Sequence, residues 1–358
     1  MVDIFKDFYR GKRILITGHT GFKGSWLSIW LHELGAEVVG VSLNPFSSKD
    51  NFVLSRIGEK IKADIRADIC DIDKLKEIVN QYQPEIIFHL AAQPLVRLSY
   101  TIPVETYQTN VMGSINVMEA VRSCSCVKVC IMITTDKCYD NREQIWGYKE
   151  TDPMGGYDPY SSSKGAAEIA ISSWRNSYFN PSNYDIHGVS LISVRAGNVI
   201  GGGDWALDRI IPDCIRSIEA GEPIEIRSPQ ATRPWQHVLE PLSGYMLLAN
   251  KVWNDPTSYC EGWNFGPEAN GITNVWSVAN KVVCSYGKGE LINKSTSNTL
   301  HEANLLSLDI TKARVKLGWK PRLSIDELVD LTVDWYKRYN DEDVYSVCID
   351  QISKFLKS

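Results

Sequence analysis

No apolar run in this chain is long enough to cross a bilayer; the hydrophobic stretches are short and interrupted. The opening MVDIFKDFYRGKRILITG lacks an apolar core followed by a small-residue cleavage site, so it predicts no secretory leader and a cytoplasmic setting. An excess of one charge sign is also missing. A formal net charge of −5 over 358 residues gives no electrostatic reason for nucleic acid or an anionic membrane as partner. Any anionic ligand must then be held by a local cluster of cations. The sequence has no internal repeats and no low-complexity tract. Its nine cysteines lack zinc-site pairing: Cys124 and Cys126 have no second pair, so no metal is expected. Cys130, Cys214 and Cys284 fall in apolar patterns and are expected as reduced, buried thiols.

What is present is an ordinary soluble composition, 44% hydrophobic and 23% charged, in a repeating order. RILIT, EVVGVS, EIIFHLAA and KVCIMIT are short strand-like runs with helical patterns between them. In SWLSIWLHELG, Leu27, Ile29, Trp30, Leu31 and Leu34 lie largely on one helical side before a glycine stop. Such alternation predicts an α/β fold, a doubly wound parallel sheet of Rossmann type with helices on both faces. Beyond residue 200 the text becomes loop-rich and helical, and SIDELVDLTVDWYKRY at 324–339 is expected as the closing helix. The expected division is a nucleotide-binding domain over 11–200, to which 234–265 returns. A smaller lobe over 201–233 and 266–358 would hold the substrate, with the ligand site in the crevice between them.

LITGHTGFKG places Gly18, Gly21 and Gly24 between the first strand and the first helix. Gly18 allows a tight turn, Gly21 lets a pyrophosphate reach the backbone, and Gly24 permits close helix packing. The helix N-terminus offers free N–H groups to phosphate. This is a dinucleotide site. The second strand ends at Ser42, with no acid to choose between a free and a phosphorylated ribose. Asp68, in IRADICD, is placed to contact the adenine or to cap a turn.

In YDPYSSSKGAAEIA, Tyr160 and Lys164 are four apart and share a helical face. A lysine ammonium beside a phenol favours the phenolate, which can act as base on an alcohol. With Thr135 after the strand CIMIT, these features resemble the extended short-chain dehydrogenase/reductase superfamily, whose marks are TGxxGxxG and YxxxK. The resemblance covers nearly the whole chain, through HLAAQPLVRLSYTIPVETYQTNVMGSINVMEA, VRAGNVIGGG, RPWQHVLEPLSGY, WNFG and LGWKP. It implies NAD as cofactor, held by the glycine loop with Thr20, Phe22 and Lys23, by Asp68 and Ile69, and by Leu90, Ala91, Ala92 and Asn110. It implies Thr135, Tyr160 and Lys164 as the catalytic trio, and a homodimer or dimer of dimers paired through 104–124.

After the fifth strand the chain reads Thr135-Asp136-Lys137. Sugar-nucleotide 4,6-dehydratases of that superfamily carry an acid there and epimerases do not. GHTGFKGSWL and TTDKCY most resemble the branch whose substrate is CDP-glucose, where Lys137 stands in place of a glutamate. The resemblance implies oxidation at C4, elimination across C5 and C6, and hydride return to C6, in deoxysugar synthesis of the O-antigen 3,6-dideoxyhexose kind. Asp136 is expected as the C6 acid and Lys137 as the C5 base, though the residues leave open which does which. Asp136 must stay protonated, which burial favours and a cationic Lys137 opposes. Neighbours on a strand face opposite ways, so both reach one sugar only if regular strand has ended by Asp136. For the diphosphate, Asn198, Arg209, Arg227 and Arg233 lie in crevice-side loops, Asn198 and Arg233 ranking first. Gln93 and His237 complete the substrate set by resemblance. A C4 epimerase or a reductase acting on another nucleotide-hexose would share the loop and the trio. A non-catalytic dinucleotide sensor would keep only the loop.

Overall fold

The computed structural model describes residues 2–268, 271–295 and 305–358. The strands are β1 Arg13–Thr17, β2 Glu37–Ser42, β3 Ala63–Arg66, β4 Ile86–His89, β5 Val129–Ile133, β6 Ser190–Ala196, β7 Asn198–Ile200, β8 Ile224–Ile226, β9 Thr232–His237, β10 Gly262–Phe265, β11 Ile272–Asn274 and β12 Leu291–Asn293. Seven of them form one sheet in the order β10-β6-β5-β4-β1-β2-β3, and every pairing in it is parallel. Parallel strands need helical crossovers, which cover both faces. That is why β4, β5 and β6 are buried along their whole length. The chain order reverses between β1 and β4, so the loops after these strands part and leave a crevice at the strand ends. β10 joins the same sheet beside β6. The remaining strands make two small sheets, β11-β9-β7 and β12-β8, with helices Ile210–Ala220, Val275–Tyr286 and Ile325–Arg338 around them.

The first long helix, Phe22–Glu33, departs from the one-sided pattern expected of it. Residues Gly24 to Leu31 are all buried. The outer face is covered by an N-terminal helix, Val2–Tyr9, and a C-terminal helix, Val344–Lys357; Trp30 meets Phe5 and Phe355 edge to face. The helix ends at Gly35, φ +81°, as its sequence predicted. Ile325–Arg338 forms with a Ser324–Glu327 capping box, but it does not close the chain. Val344–Lys357 follows, capped by Asp343, with Val344, Val347, Cys348, Gln351, Ile352 and Phe355 on the buried face. Cys130 and Cys214 are buried as expected, whereas Cys284 is exposed, on the solvent side of its helix. Cys124 and Cys126 are joined as a disulfide.

One buried carboxyl makes stability depend on pH. Glu240 is 1% exposed, and its Oε1 accepts the backbone N–H groups of Arg322 at 2.7 Å and Leu323 at 2.8 Å. Among the described residues its Oε2 has no hydrogen-bond partner. Burial lifts its pKa from 4.5 to about 7, against the pull of those two N–H groups. The folded state therefore keeps a proton that the unfolded chain has released. Stability is full below about 4.5 and falls as pH rises through about 7. Replacing Glu240 with Gln keeps an acceptor oxygen and should remove this decline, on the order of 2 kcal/mol between about pH 5 and about pH 8. Parallel wild-type and E240Q unfolding curves over that range would contradict it.

Candidate active site

The glycine loop has the geometry its spacing predicts. Gly18 sits at φ +76° and donates to Val41 O at 2.8 Å. A Cβ there would come 2.6 Å from Ala91 N, so only glycine lets the loops after β1 and β4 touch. A Cβ on Gly24 would lie 2.1 Å from Gly18 O, whereas one on Gly21 meets only Gly18 O at 3.3 Å. Gly21 thus borders open space at the helix N-terminus, a cradle suited to a pyrophosphate. Thr20 bonds the Ser42 hydroxyl at 2.7 Å and Leu43 O at 3.1 Å. Phe22 abuts Gly201. Asp68 Oδ1 accepts Cys70 N at 2.9 Å and so caps its turn, while Ile69 is buried against Gly113. Leu90, Ala91 and Ala92 line the crevice half-buried. Asn110 lies in a π-helical turn, Gln108–Met112, where it exchanges hydrogen bonds with the Gln93 backbone and donates to Ser163 Oγ at 2.9 Å.

Lys23, expected among the cofactor residues, is pushed down to about 8 by burial and the Arg209 charge, with Asp136 and Asp204 opposing.

β5 ends at Ile133, and Asp136–Cys138 forms a tight 3₁₀ turn capped by Thr135. Strand geometry has ended by Asp136, the condition for Asp136 and Lys137 to share a side. The Thr135 hydroxyl donates to Asp136 Oδ1 at 2.9 Å. Asp136 is 1% exposed and its Oδ2 has no hydrogen-bond partner among the described residues. Burial raises its pKa, and Lys137, Thr135, Arg233 and Lys23 only partly oppose this. Lys137 is half-buried at the turn. Oδ2 faces Gly197, where a Cβ would approach it to 3.1 Å.

Tyr160 and Lys164 occupy the first turns of the helix Pro159–Ser177, both buried. Thr135 donates to Asp136 and acts to lower the Tyr160 phenol, so Thr135, Asp136 and Tyr160 act on one another at the end of β5. The expected lowering of the phenol does not appear. Burial pushes Tyr160 up to about 12, outweighing Thr135 and Arg209, because desolvation of a phenolate costs more than a nearby charge returns. Lys164 is pushed down to about 8 by burial, with the Glu168 carboxylate opposing.

The substrate-side residues divide. Asn198 is half-buried on β7, and Arg233, on the adjoining β9, is 8% exposed with its charge acting on Asp136. Arg209 bonds Asp204 at 2.6 Å, and its charge acts on Tyr160. Arg227 is exposed and held by Asp208 at 2.8 Å, a rim ion pair. His237 cannot line a crevice: it is fully buried, edge-on to Trp26, and burial pushes it down to about 3. The Gln93 side chain is consumed by its own loop, bonding Leu95 N, Leu95 O and Thr106 Oγ1 at 2.6, 3.1 and 3.0 Å.

Beneath the cluster lies a polar network that the sequence reading missed. Arg195 and Glu168, 5% and 3% exposed, pair through Nη2–Oε2 at 2.8 Å and Nε–Oε1 at 3.0 Å. Thr134 donates to Glu168, and Arg195 reaches the Tyr139 hydroxyl at 2.6 Å, which donates to Asn264 at 2.8 Å. A readable signal existed: Glu168 follows Lys164 by one helical turn, as Lys164 follows Tyr160.

Residues 15–332 match the family model described as GDP-mannose 4,6 dehydratase. A CDP-glucose 4,6-dehydratase of Salmonella typhimurium is 49% identical over 359 residues, covering 100% of this chain and 99% of that protein. Among solved structures, a dTDP-glucose 4,6-dehydratase of Streptomyces venezuelae, crystallised with NAD, superimposes with a TM-score of 0.78 at 20% identity, covering 93% of this chain and 99% of that one. A UDP-glucose 4-epimerase of Thermotoga maritima gives 0.75 at 24% identity, covering 92% and 99%. At those identities the superpositions speak for the fold alone. A dinucleotide cradle, a buried Tyr/Lys/Thr cluster with an added acid, and a family match spanning most of the sequence agree, and the chain belongs to the GDP-mannose 4,6 dehydratase family.

Proposed function

We propose that this protein is a CDP-glucose 4,6-dehydratase with NAD as its cofactor, releasing CDP-4-dehydro-6-deoxyglucose and water for deoxysugar synthesis. The observation that carries the choice of CDP-glucose is the 49% identity, end to end, with the Salmonella typhimurium enzyme. Gly18, Gly21 and Gly24 offer a cradle that a Cβ at Gly18 or Gly24 would fill, and this fits a dinucleotide pyrophosphate. When bound there, NAD⁺ supplies the hydride acceptor for C4, the donor for C6, and a ring charge that favours the Tyr160 phenolate.

The chain's own residues do the rest. Tyr160 takes the proton of the C4 hydroxyl, oriented by Thr135, with Lys164 favouring its ionised form. The C4 ketone makes the C5 hydrogen acidic. Lys137 removes that proton and later returns it. Asp136, kept neutral by burial, protonates the C6 hydroxyl so that it departs as water. Asn198, Arg209 and Arg233 hold the diphosphate, which meets the need for local cations in a chain of net charge −5. An epimerase reading has no use for the buried acid at Asp136. No helix among the described residues is long and apolar enough to cross a membrane, and a cytoplasmic setting belongs to this proposal. So does a homodimer through 104–124, supported by exposed Val104 and Met112.

Incubation with CDP-, dTDP-, UDP- and GDP-hexoses, with and without added NAD⁺, tests the proposal. The alkaline absorbance of a 4-keto-6-deoxy sugar is expected from CDP-glucose. A C4 epimer formed without loss of water would replace it with the epimerase reading.

A further inference from the structure

The groups assigned to oxidation at C4 and those assigned to elimination sit on different elements. Tyr160 and Lys164 belong to the helix Pro159–Ser177, whereas Asp136 and Lys137 belong to the 3₁₀ turn after β5. One bound sugar meets both sets only if helix and turn keep a fixed separation. A single 3₁₀ turn has poor hydrogen-bond geometry and does little to hold that separation by itself.

The residues on either side of the turn are tied to one buried ion pair. Before it, the Thr134 hydroxyl donates to Glu168 Oε1. After it, the Tyr139 hydroxyl accepts from Arg195 Nη1 at 2.6 Å and donates to Asn264 Oδ1 at 2.8 Å. Glu168 and Arg195 are joined to each other at 2.8 and 3.0 Å, and Glu168 lies one helical turn beyond Lys164 on the helix of Tyr160. The pair thus grips both ends of the turn from the helix that carries the other half of the chemistry. The far side is fixed as well. Asn264 is fully buried, and its Nδ2 donates to Tyr148 O at 2.8 Å and Asp309 O at 3.2 Å. The Tyr139 ring stacks on Tyr148 with centroids 5.2 Å apart. Packed apolar side chains often stabilise such a site at least as well as an ion pair, so stability alone is a weak reason for this network. What directional hydrogen bonds add is one geometry.

Resting on the dehydratase reading, we propose that the Glu168–Arg195 pair is a staple that sets the elimination turn against the oxidation helix, with Thr134 and Tyr139 as its positioning residues. Both act through Asp136 and Lys137 and exchange no proton with the sugar. Tyr160 and Lys164 keep their places on the helix whether or not the turn is gripped. Loosening the staple therefore leaves C4 oxidation in place and slows the elimination that follows, and reduced nicotinamide accumulates.

Tyr139→Phe removes one hydroxyl and keeps the ring that stacks on Tyr148. Arg195 retains its two bonds to Glu168 and one to Glu150 O at 3.3 Å. Rapid mixing of the NAD-loaded variant with CDP-glucose follows oxidation by nicotinamide absorbance and elimination by the 4-keto-6-deoxy product. Oxidation rate and KM should stay within about twofold of wild type while product formation falls about tenfold, the scale expected when a reacting group is displaced by less than about 1 Å. Thr134→Val releases the other end of the turn and should give the same split, whereas Thr134→Ser keeps the hydroxyl and should behave as wild type. T134V carries the comparison if Y139F does not fold. Equal slowing of oxidation and product formation in either folded variant, or product formation at the wild-type rate, would overturn the staple and leave the pair a purely structural one. Failure of wild type to dehydrate CDP-glucose would defeat the dehydratase reading instead, a separate result.

Discussion

Asp136→Asn is expected to lower water release by about 10²–10⁴-fold while leaving oxidation at C4 in place. Asparagine keeps an oxygen to accept from Thr135, so the 2.9 Å contact and the turn survive. It has no acidic proton to give a departing hydroxyl. The variant should therefore accumulate reduced-nicotinamide absorbance on addition of CDP-glucose and form little 4-keto-6-deoxy product. Wild-type activity should also fall as pH rises through the folded pKa of Asp136, which burial raises above the ordinary aspartate value. The neutral acid is the working form and persists to higher pH than an exposed aspartate would allow. Product formation by D136N within tenfold of wild type would remove Asp136 from the acid role.

The largest loss of stability is expected from Arg195→Met, about 3–5 kcal/mol. Arg195 makes two bonds to Glu168 and one to Tyr139 inside the protein, and its removal leaves a buried carboxylate without its counter-charge. Burial alone would raise the Glu168 pKa, but Arg195, Thr134 and Ser193 bring it below the ordinary value. The folded pKa is depressed, so this contribution is present above the unfolded pKa and lost as pH falls through the folded one. Most of the loss should return in the double variant E168M/R195M, because two apolar side chains leave no unpaired charge. Denaturant unfolding of the single and double variants measures this. A double variant as unstable as R195M would show that the ion pair is not what matters there.

The same network shows where a sequence stops being readable. Tyr160, Lys164 and Glu168 recur at one helical turn, so their common face is local information. That Arg195, from a strand 27 residues further on, closes over Glu168 depends on β6 lying beside β5, a choice made by the whole sheet. His237 failed too. Resemblance placed it among the substrate residues, yet Trp26 and the surrounding core enclose it.

The sequence by itself determined the alternation of strands and helices, the glycine cradle, the Thr135–Asp136–Lys137 run and the Tyr160–Lys164 pair, because each rests on spacings of a few residues. Only the tertiary structure decided that β5 yields to a turn before Asp136, that the first helix is covered on both sides, and that Arg195 closes over Glu168. Those features arise where segments far apart in the chain bury one another, and burial is what sets the acidity of the groups the proposed chemistry uses.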